Sequence, residues 1–144
     1  MKAGLLGPNV DVFVLIREPW SAEAREGLKD TFYDAEPRMR AGVTSGKMEL
    51  FRVFAESHAP GKQVGWLIIE RIRGMLFIWC YQGTGVVCLI HQLREYARQN
   101  GYEQLSFFTR HRAVIRVLRR YKPREYMKHA PDEIQYVIDV KAAA

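Results

Sequence analysis

The residues with the clearest capacity for chemistry form a glycine-containing turn, Gln82-Gly83-Thr84-Gly85. The apolar run before it, 75–81, has the length and aromatic content of a strand buried on both faces. From Val86 apolar residues recur at helical spacing until Asn100-Gly101, a typical helix stop. A strand, a tight turn and a helix start bring unpaired backbone N–H groups to the positive end of a helix dipole, where a phosphate can bind. A purely structural turn is the alternative.

Other side chains could act as acids, bases, nucleophiles or metal ligands. Glu56 and Glu70 lie on predicted strands, and either could be a general base if its side chain faces a cleft. Cys80 lies in the apolar run without a group that would activate its thiolate, which indicates packing rather than nucleophilic catalysis. Cys80 and Cys88 lack ligand spacing and are expected to be reduced. The histidines show no spacing typical of a metal site, so no metal is expected; they are His58, His91, His111 and His129.

A cluster of basic residues follows between positions 110 and 124, without an acidic residue in the same stretch. A solvated helix face accounts for most of them. A surface for the phosphates of a cofactor or of nucleic acid is the alternative. No aromatic residues interleave on the polar face, so nucleic acid is the less favoured partner. The members are Arg110, Arg112, Arg116, Arg119, Arg120, Lys122 and Arg124.

The composition sets broad limits on the kind of protein. A chain of 144 residues with a net charge of +6 predicts one domain, 1–144, with an anionic partner. No apolar run reaches the length of a membrane span. The reduced cysteines and the absence of a signal-like N-terminus predict a cytoplasmic protein.

The elements that must position the turn follow from hydrophobic periodicity. The N-terminal half predicts a strand over 9–17, a helix over 22–35 capped by Ser21, and a polar loop or short helix over 36–47. Strands over 49–56 and 63–72, separated by a turn at 58–61, form an antiparallel meander with 75–81. The predicted shared faces are Phe51, Val53 and Ala55 in one strand, and Val64, Trp66 and Ile68 opposite Gly65, Leu67 and Ile69 in the next.

The C-terminal half predicts a strand over 104–109, parallel to 75–81 through a right-handed crossover. A helix over 111–121 and a last strand over 134–140 follow, the strand after a Pro131-Asp132 turn. The inward residues of that helix are predicted as Val114, Ile115, Val117, Leu118 and Tyr121. The order β-α-β-β-β-α-β-α-β indicates an α/β (α+β) fold: a mixed, mostly antiparallel sheet of six to seven strands with helices on both faces.

This order, with the glycine turn after the fourth strand, resembles the GNAT acyl-CoA-dependent N-acyltransferases. The topology matches over about 9–140 and the sequence over about 75–126. The family's phosphate loop reads Gln/Arg-x-x-Gly-x-Gly/Ala, which Gln82 and Gly85 match and Val87 does not. The resemblance implies that acetyl-CoA or another acyl-CoA is the cofactor. The implied cofactor-binding residues are Tyr81, Gln82, Gly83, Thr84, Gly85, Val86 and Val87.

A second part of the resemblance concerns catalysis. The family often places an Asn at the start of the last helix, then a Tyr that protonates the leaving thiolate, then Gly-Phe. Here His111, Leu118 and 121–123 occupy those places, and Leu118 cannot transfer a proton. The catalytic residues therefore stay unassigned. The stretch 113–118 also resembles GNAT-like bacteriophage proteins, including internal virion proteins.

Two functions stay open at this point. The first is an N-acyltransferase that holds acyl-CoA between strands 75–81 and 104–109 while an amine acceptor attacks the thioester. The second is a GNAT-fold phage protein without catalysis, acting through a protein partner as a virion component or host-interaction protein. The Gln82-x-x-Gly85 turn favours the first, and Val87 and Leu118 favour the second.

Overall fold

The computed structural model describes residues 12–56, 62–130 and 133–140. Over these residues, seven strands form one sheet in the order β1-β2-β3-β4-β5-β7-β6, with β4 and β5 parallel and the other described neighbours antiparallel. The predicted mixed, mostly antiparallel sheet is confirmed. The strands are β1 (Phe13–Glu18), β2 (Met48–Ala55), β3 (Lys62–Ile72), β4 (Met75–Gly83), β5 (Gln104–Thr109), β6 (Arg124–Ala130) and β7 (Glu133–Asp139). The helices are α1 (Ala22–Phe32), α2 (Glu36–Ser45), α3 (Val86–Gln99) and α4 (Arg112–Val117), and a 3-10 turn spans Arg119–Tyr121.

The first two helices follow from local chemistry. The Ser21 hydroxyl accepts a hydrogen bond from the Ala24 N–H at 3.0 Å, which confirms the predicted N-cap. α1 ends at Phe32, three residues earlier than predicted. The segment predicted as a loop or short helix is the helix α2, with Pro37 in its first turn and Gly46 at φ 86° as its stop. The predicted turns at 58–61 and 131–132 lie outside the described residues, as do positions 9–11 of the first strand.

Two bulges interrupt the meander. Val53 pairs with Gly65 while Phe54 pairs with Gln63, so Val64 is an extra residue in β3. Val64 therefore packs with the core on the opposite face from Trp66, and its predicted face is wrong. In β4 the extra residue is Trp79, because Ile68 pairs with Cys80 and Ile69 pairs with Ile78. The β4 bulge lies where this strand stops pairing with β5.

The two faces of the sheet carry separate cores. The core under α3 contains Val53, Leu67, Leu89 and Leu118 among its buried residues. The core under α1 and α2 contains Leu28, Met39, Trp66 and Cys80. The described parts of the chain contain no helix long and apolar enough to cross a membrane.

The last third of the chain differs most from expectation. α4 ends at Val117, and the Val117 side chain is 51% exposed, so its predicted inward position is wrong. Leu118 is fully buried, as predicted. β6 was not predicted as an element, although seven strands were within the expected number. Residues 124–129 are all exposed, so no apolar face marks this edge strand in the sequence.

Candidate functional site

A cleft opens where two parallel strands separate. β4 and β5 pair from Met75 opposite Gln104 as far as Ile78 opposite Phe107. Beyond Ile78, β4 continues to Gly83 without β5 beside it, so its backbone edge has no described strand partner on that side. The cleft has a volume of about 750 Å³ and is lined by residues from both sheet faces. Its position between these strands agrees with the expectation from sequence.

The glycine turn joins the C-terminal end of β4 to the start of α3. The Tyr81 hydroxyl donates to the Thr84 carbonyl at 2.6 Å, and the Thr84 N–H donates to the Val64 carbonyl at 3.0 Å. The first bond of α3 runs from the Leu89 N–H to the Gly85 carbonyl at 3.0 Å. The N–H groups of the helix's first turn therefore have no intrahelical acceptor and stand at the positive end of its dipole.

The two glycines of the turn are required by contacts within the protein. A Cβ on Gly83 would lie 2.2 Å from the Val64 carbonyl oxygen. A Cβ on Gly85 would lie 2.7 Å from the Phe13 ring, and Gly85 has φ 72°, where L-residues are strained. The presence of these glycines therefore has a structural explanation that does not depend on a ligand.

Only three of the seven predicted cofactor-binding residues line the cleft. Tyr81, Gln82 and Val86 line the cleft, whereas the four others do not. Burial raises the pKa of Tyr81 to about 12, so its hydroxyl stays protonated and donates. The Gln82 amide nitrogen lies 3.4 Å from the Asp30 carboxylate of α1. The four residues outside the wall are Gly83, Thr84, Gly85 and Val87.

The wall on the α3–α4 side is apolar. Val86, Leu89, Ile90, Val114 and Leu118 line it, and none of these side chains exchanges a proton. Leu118 stands where the resemblance would place an acid.

The wall on the α1–α2 side is polar and aromatic. The Glu70 carboxylate accepts a hydrogen bond from the Trp79 indole N–H at 2.9 Å and lies 3.9 Å from the Lys47 ammonium group. Glu70 faces the cleft, whereas Glu56 is not among the lining residues. Sequence alternation left this open, and the structure separates the two candidates. The Arg38 guanidinium lies 5.0 Å from the Trp79 ring, across the same wall.

Solved structures share this fold. An N-acetyltransferase from Campylobacter jejuni, PseH, has a TM-score of 0.60 at 13% identity, over 89% of this chain and 98% of that one. A Desulfovibrio desulfuricans protein assigned to the GNAT acetyltransferases has a TM-score of 0.56 at 12% identity, over 90% and 99%. A Klebsiella pneumoniae protein assigned as an acyl-CoA N-acyltransferase has a TM-score of 0.63 at 16% identity, over 90% and 97%. This chain has the GNAT fold. No family model and no curated protein sequence matches it.

The GNAT fold brings together three polar residues that sequence analysis did not connect. Ser106 on β5, Gln135 on β7 and His129 on β6 form one hydrogen-bonded chain that ends at the cleft wall. Polar residues at Ser106 and Gln135, inside otherwise apolar strands, were the available signal. Their pairing depends on strands that are about 29 residues apart along the chain.

The basic cluster at 110–124 lies mainly on the surface of the GNAT fold. Arg124 pairs with Asp139 at 3.1 Å, and Arg110 lies 3.8 Å from Glu133, so β7 supplies acidic partners that the local sequence lacks. None of the seven basic residues lines the cleft. These contacts favour a solvated face.

Tyr121 is the tyrosine closest to Leu118 along the chain. Its hydroxyl lies 3.0 Å from the His91 ring nitrogen Nδ1 and accepts a hydrogen bond from Arg120 at 2.8 Å. Tyr121 is not among the residues that line the cleft. Tyr121 therefore does not place a proton donor in the cleft wall.

Among the described residues, the cysteines and the other residue types that bind metals do not form a second functional site. Cys80 is buried beside the Met39 sulfur at 3.6 Å, and burial raises the pKa of its thiol to about 12. Neither cysteine forms a disulfide. Across the described ranges, no three His, Cys, Asp or Glu side chains are grouped so that they could hold a metal ion.

Proposed function

We propose that this protein is an acyl-CoA-dependent N-acyltransferase whose cofactor lies between the separating strands β4 and β5. The observation that carries the proposal is the edge of β4 beyond Ile78, which has no described strand partner and leads directly to the start of α3. There the N–H groups of Val86 and Val87 have no intrahelical acceptor. An extended ligand that contains amides can pair with such an edge as an added strand would. A phosphate at its end suits the helix terminus.

The residues at the turn fit a bound pyrophosphate. Its proposed contacts are the backbone N–H groups from Gly85 to Val87, at the margin of the cleft, because the Thr84 N–H already donates to the Val64 carbonyl. Val87 departs from the family loop by its bulk, but its side chain packs against the core under α3. This orientation removes the objection that a branched residue would fill the phosphate position.

The residues of the two cleft walls would have different roles in the reaction. Bound acyl-CoA supplies an activated thioester carbonyl. Leu118 and its apolar neighbours exclude water from the α3–α4 side of the cleft. The amine acceptor approaches from the α1–α2 side, where Glu70, Trp79 and Arg38 offer charge and aromatic surface.

A matched pair of variants tests cofactor binding. Thr84 is exposed, and both of its described hydrogen bonds use backbone atoms, so Thr84→Glu and Thr84→Gln should fold alike. Calorimetric titration with acetyl-CoA should show binding by the wild type and by Thr84→Gln. A carboxylate beside the pyrophosphate should cost on the order of 2 kcal/mol, about thirtyfold in Kd. Gly85→Glu is a weaker test because it would also collide with Phe13.

Catalysis is then tested by thiol release from acetyl-CoA with a panel of primary amines, including free amino acids and peptide N-termini. Acyl transfer to at least one class supports the proposal. If wild type and Thr84→Gln fail to bind acetyl-CoA at millimolar concentrations, the cofactor assignment is wrong.

The second candidate is a GNAT-fold protein without catalysis, and Leu118 at the acid position is the observation that favours it. Such a protein would act through contacts, for example as a phage virion component or host-interaction protein. The phage assignment rests on the resemblance of 113–118 alone. Acetyl-CoA binding without transfer to any amine class would favour this candidate.

A further inference from the structure

We propose that His129 accepts the proton from the incoming ammonium group, and that buried Gln135 and Ser106 hold its ring in the required tautomer. The inference rests on the proposed acyltransferase function and assigns a base to that site. It starts from the two polar side chains that the described core contains, Ser106 at 0% and Gln135 at 8% exposure. Burying such groups is unfavourable unless they are hydrogen-bonded, so their partners are informative.

The two residues lie on neighbouring strands and on one sheet face. Gln135 of β7 pairs with Phe108 of β5, two residues beyond Ser106. Leu105 and Phe107 belong to the core under α3, so alternation along β5 directs Ser106 and Phe108 to the α1–α2 face. This is the polar and aromatic side of the cleft.

The hydrogen bonds in this chain have a fixed direction. The Ser106 hydroxyl donates its single proton to the Tyr136 carbonyl at 2.8 Å. It therefore accepts from the Gln135 amide nitrogen, which lies 2.9 Å away. The Gln135 amide oxygen then faces the His129 Nε2 at 2.9 Å and can only accept. His129 must carry its proton on Nε2, which leaves the lone pair of Nδ1 available as a base.

His129 is connected to the place where β4 and β5 separate. Its ring lines the cleft and contacts the edge of Phe108, with centroids 4.6 Å apart. The Phe108 ring in turn packs against the ring of Trp79, the bulge residue of β4, with their centroids 5.9 Å apart. An amine that rests on these aromatic rings would lie between the thioester and His129.

The proton and electron changes balance in one acyl transfer. The lone pair of Nδ1 takes one proton from the ammonium group and leaves a neutral amine. The amine nitrogen attacks the thioester carbonyl carbon, so the C–N bond forms and the C–S bond breaks. The remaining proton lost by nitrogen moves to the thiolate, and the imidazolium of His129 returns its proton to solvent.

Glu70 is the competing base on the same wall. Its carboxylate is already engaged by the Trp79 indole and lies near the Lys47 ammonium group. Other titratable or charged groups line the same cleft or adjoin it: Glu133 on β7 with Arg110 3.8 Å from it, His111 before α4, and Tyr33 and Asp34 after α1.

The tautomer is tested first, by two-bond ¹⁵N–¹H correlation spectra of the histidine rings in the full chain. Wild type should show His129 protonated on Nε2. Gln135→Met preserves the approximate volume but removes the acceptor, and it should abolish this preference. A ring protonated on Nδ1, or an unbiased mixture in wild type, would overturn the directional argument.

Kinetics then separate a catalytic role from simple satisfaction of buried polar atoms. With the amine found in the panel, His129→Ala should lower kcat/KM about a hundredfold, within the range for a general base. It should also remove the acid limb of the pH profile, respond to added imidazole, and leave the acetyl-CoA Kd within about twofold. Gln135→Met should lower kcat about tenfold with the same Kd. His91→Gln is the histidine control, since His91 does not line the cleft.

The outcomes distinguish this inference from the function on which it rests. Failure of wild type to bind acetyl-CoA, or to acylate any amine, overturns the proposed function and the role of His129 with it. Binding and turnover that survive His129→Ala overturn the role of His129 alone.

Discussion

The two walls of the cleft differ in kind. The α3–α4 wall belongs to the larger core: Leu89, Ile90 and Leu118 are at most 2% exposed and serve stability as well as shape. The α1–α2 wall carries Glu70 and His129, which are hydrogen-bonded to Trp79 and Gln135. Substitutions in the first wall should change folding, whereas substitutions in the second should change chemistry at little cost in stability. Four predictions test that contrast.

The largest effect is expected at the apolar wall. Leu118→Ala should lower the free energy of unfolding by about 3 kcal/mol, because it removes a fully buried side chain and leaves a cavity. The matching decrease in Tm is roughly 6–12 °C. Val117→Ala is the control, and its 51% exposure predicts a change below about 0.5 kcal/mol. If both variants lowered the free energy of unfolding equally in urea denaturation, the side chains at the end of α4 would be oriented differently from those in the structure.

The turn that joins the two walls should be the next most sensitive. Gly83→Ala places a Cβ 2.2 Å from the Val64 carbonyl, a backbone atom that cannot rotate away. We expect a loss of about 2–3 kcal/mol in the free energy of unfolding. Gly101→Ala meets no atom within 4 Å but keeps φ at +80°, so only backbone strain of about 1 kcal/mol is expected. Thermal denaturation of both variants measures the difference.

Glu70 should affect stability less. Glu70→Gln keeps an oxygen that can accept the Trp79 indole N–H, so the free energy of unfolding should change by less than about 0.5 kcal/mol. Glu70→Ala leaves the indole N–H without this partner and should cost about 1 kcal/mol, with a change in tryptophan fluorescence. A large loss in Glu70→Gln would show that the polar wall carries stability too, and the contrast would fail.

The smallest effect concerns a surface pair at the far end of the sheet. A hydrogen bond from Arg124, then one from Gln104, and then the charge of Arg124 lower the pKa of Asp139. A carboxyl with a lowered folded-state pKa stabilises the protein above its unfolded pKa, and this contribution is lost as the pH falls through the folded value. Because the pair is about half exposed and screened by solvent, Arg124→Gln should change stability at pH 7 only slightly. Urea denaturation at pH 7 and pH 2.5 should show the smaller acid-induced loss in Arg124→Gln.

Local sequence signals were sufficient for the central part of the fold. The start of β4 at Met75, the turn at Gly85 and the helix from Val86 were predicted correctly, because each is encoded by consecutive residues with strong periodicity. β4 itself ends at Gly83, two residues beyond the predicted range 75–81. The parallel pairing of β4 and β5 followed from the handedness of crossover connections and is confirmed. The expected contacts of a cofactor with this turn stay a prediction.

Tertiary structure alone decided the features that depend on pairing between distant segments. The extra residues Val64 and Trp79 are defined by the partner strand, so alternation within their own strand could not reveal them. β6 exposes its side chains on both faces and therefore carries no apolar period.

The arrangement of the candidate catalytic residues also depends on which distant segments become neighbours. Sequence reasoning named Glu70 and Glu56 as equals, and only the packing of Trp79 and the cleft separated them. The hydrogen-bonded chain of Ser106, Gln135 and His129 links three strands. It requires the sheet order in which β7 lies between β5 and β6. Periodicity reports which face of an element is buried, whereas a directed chain of donors and acceptors depends on which elements become neighbours.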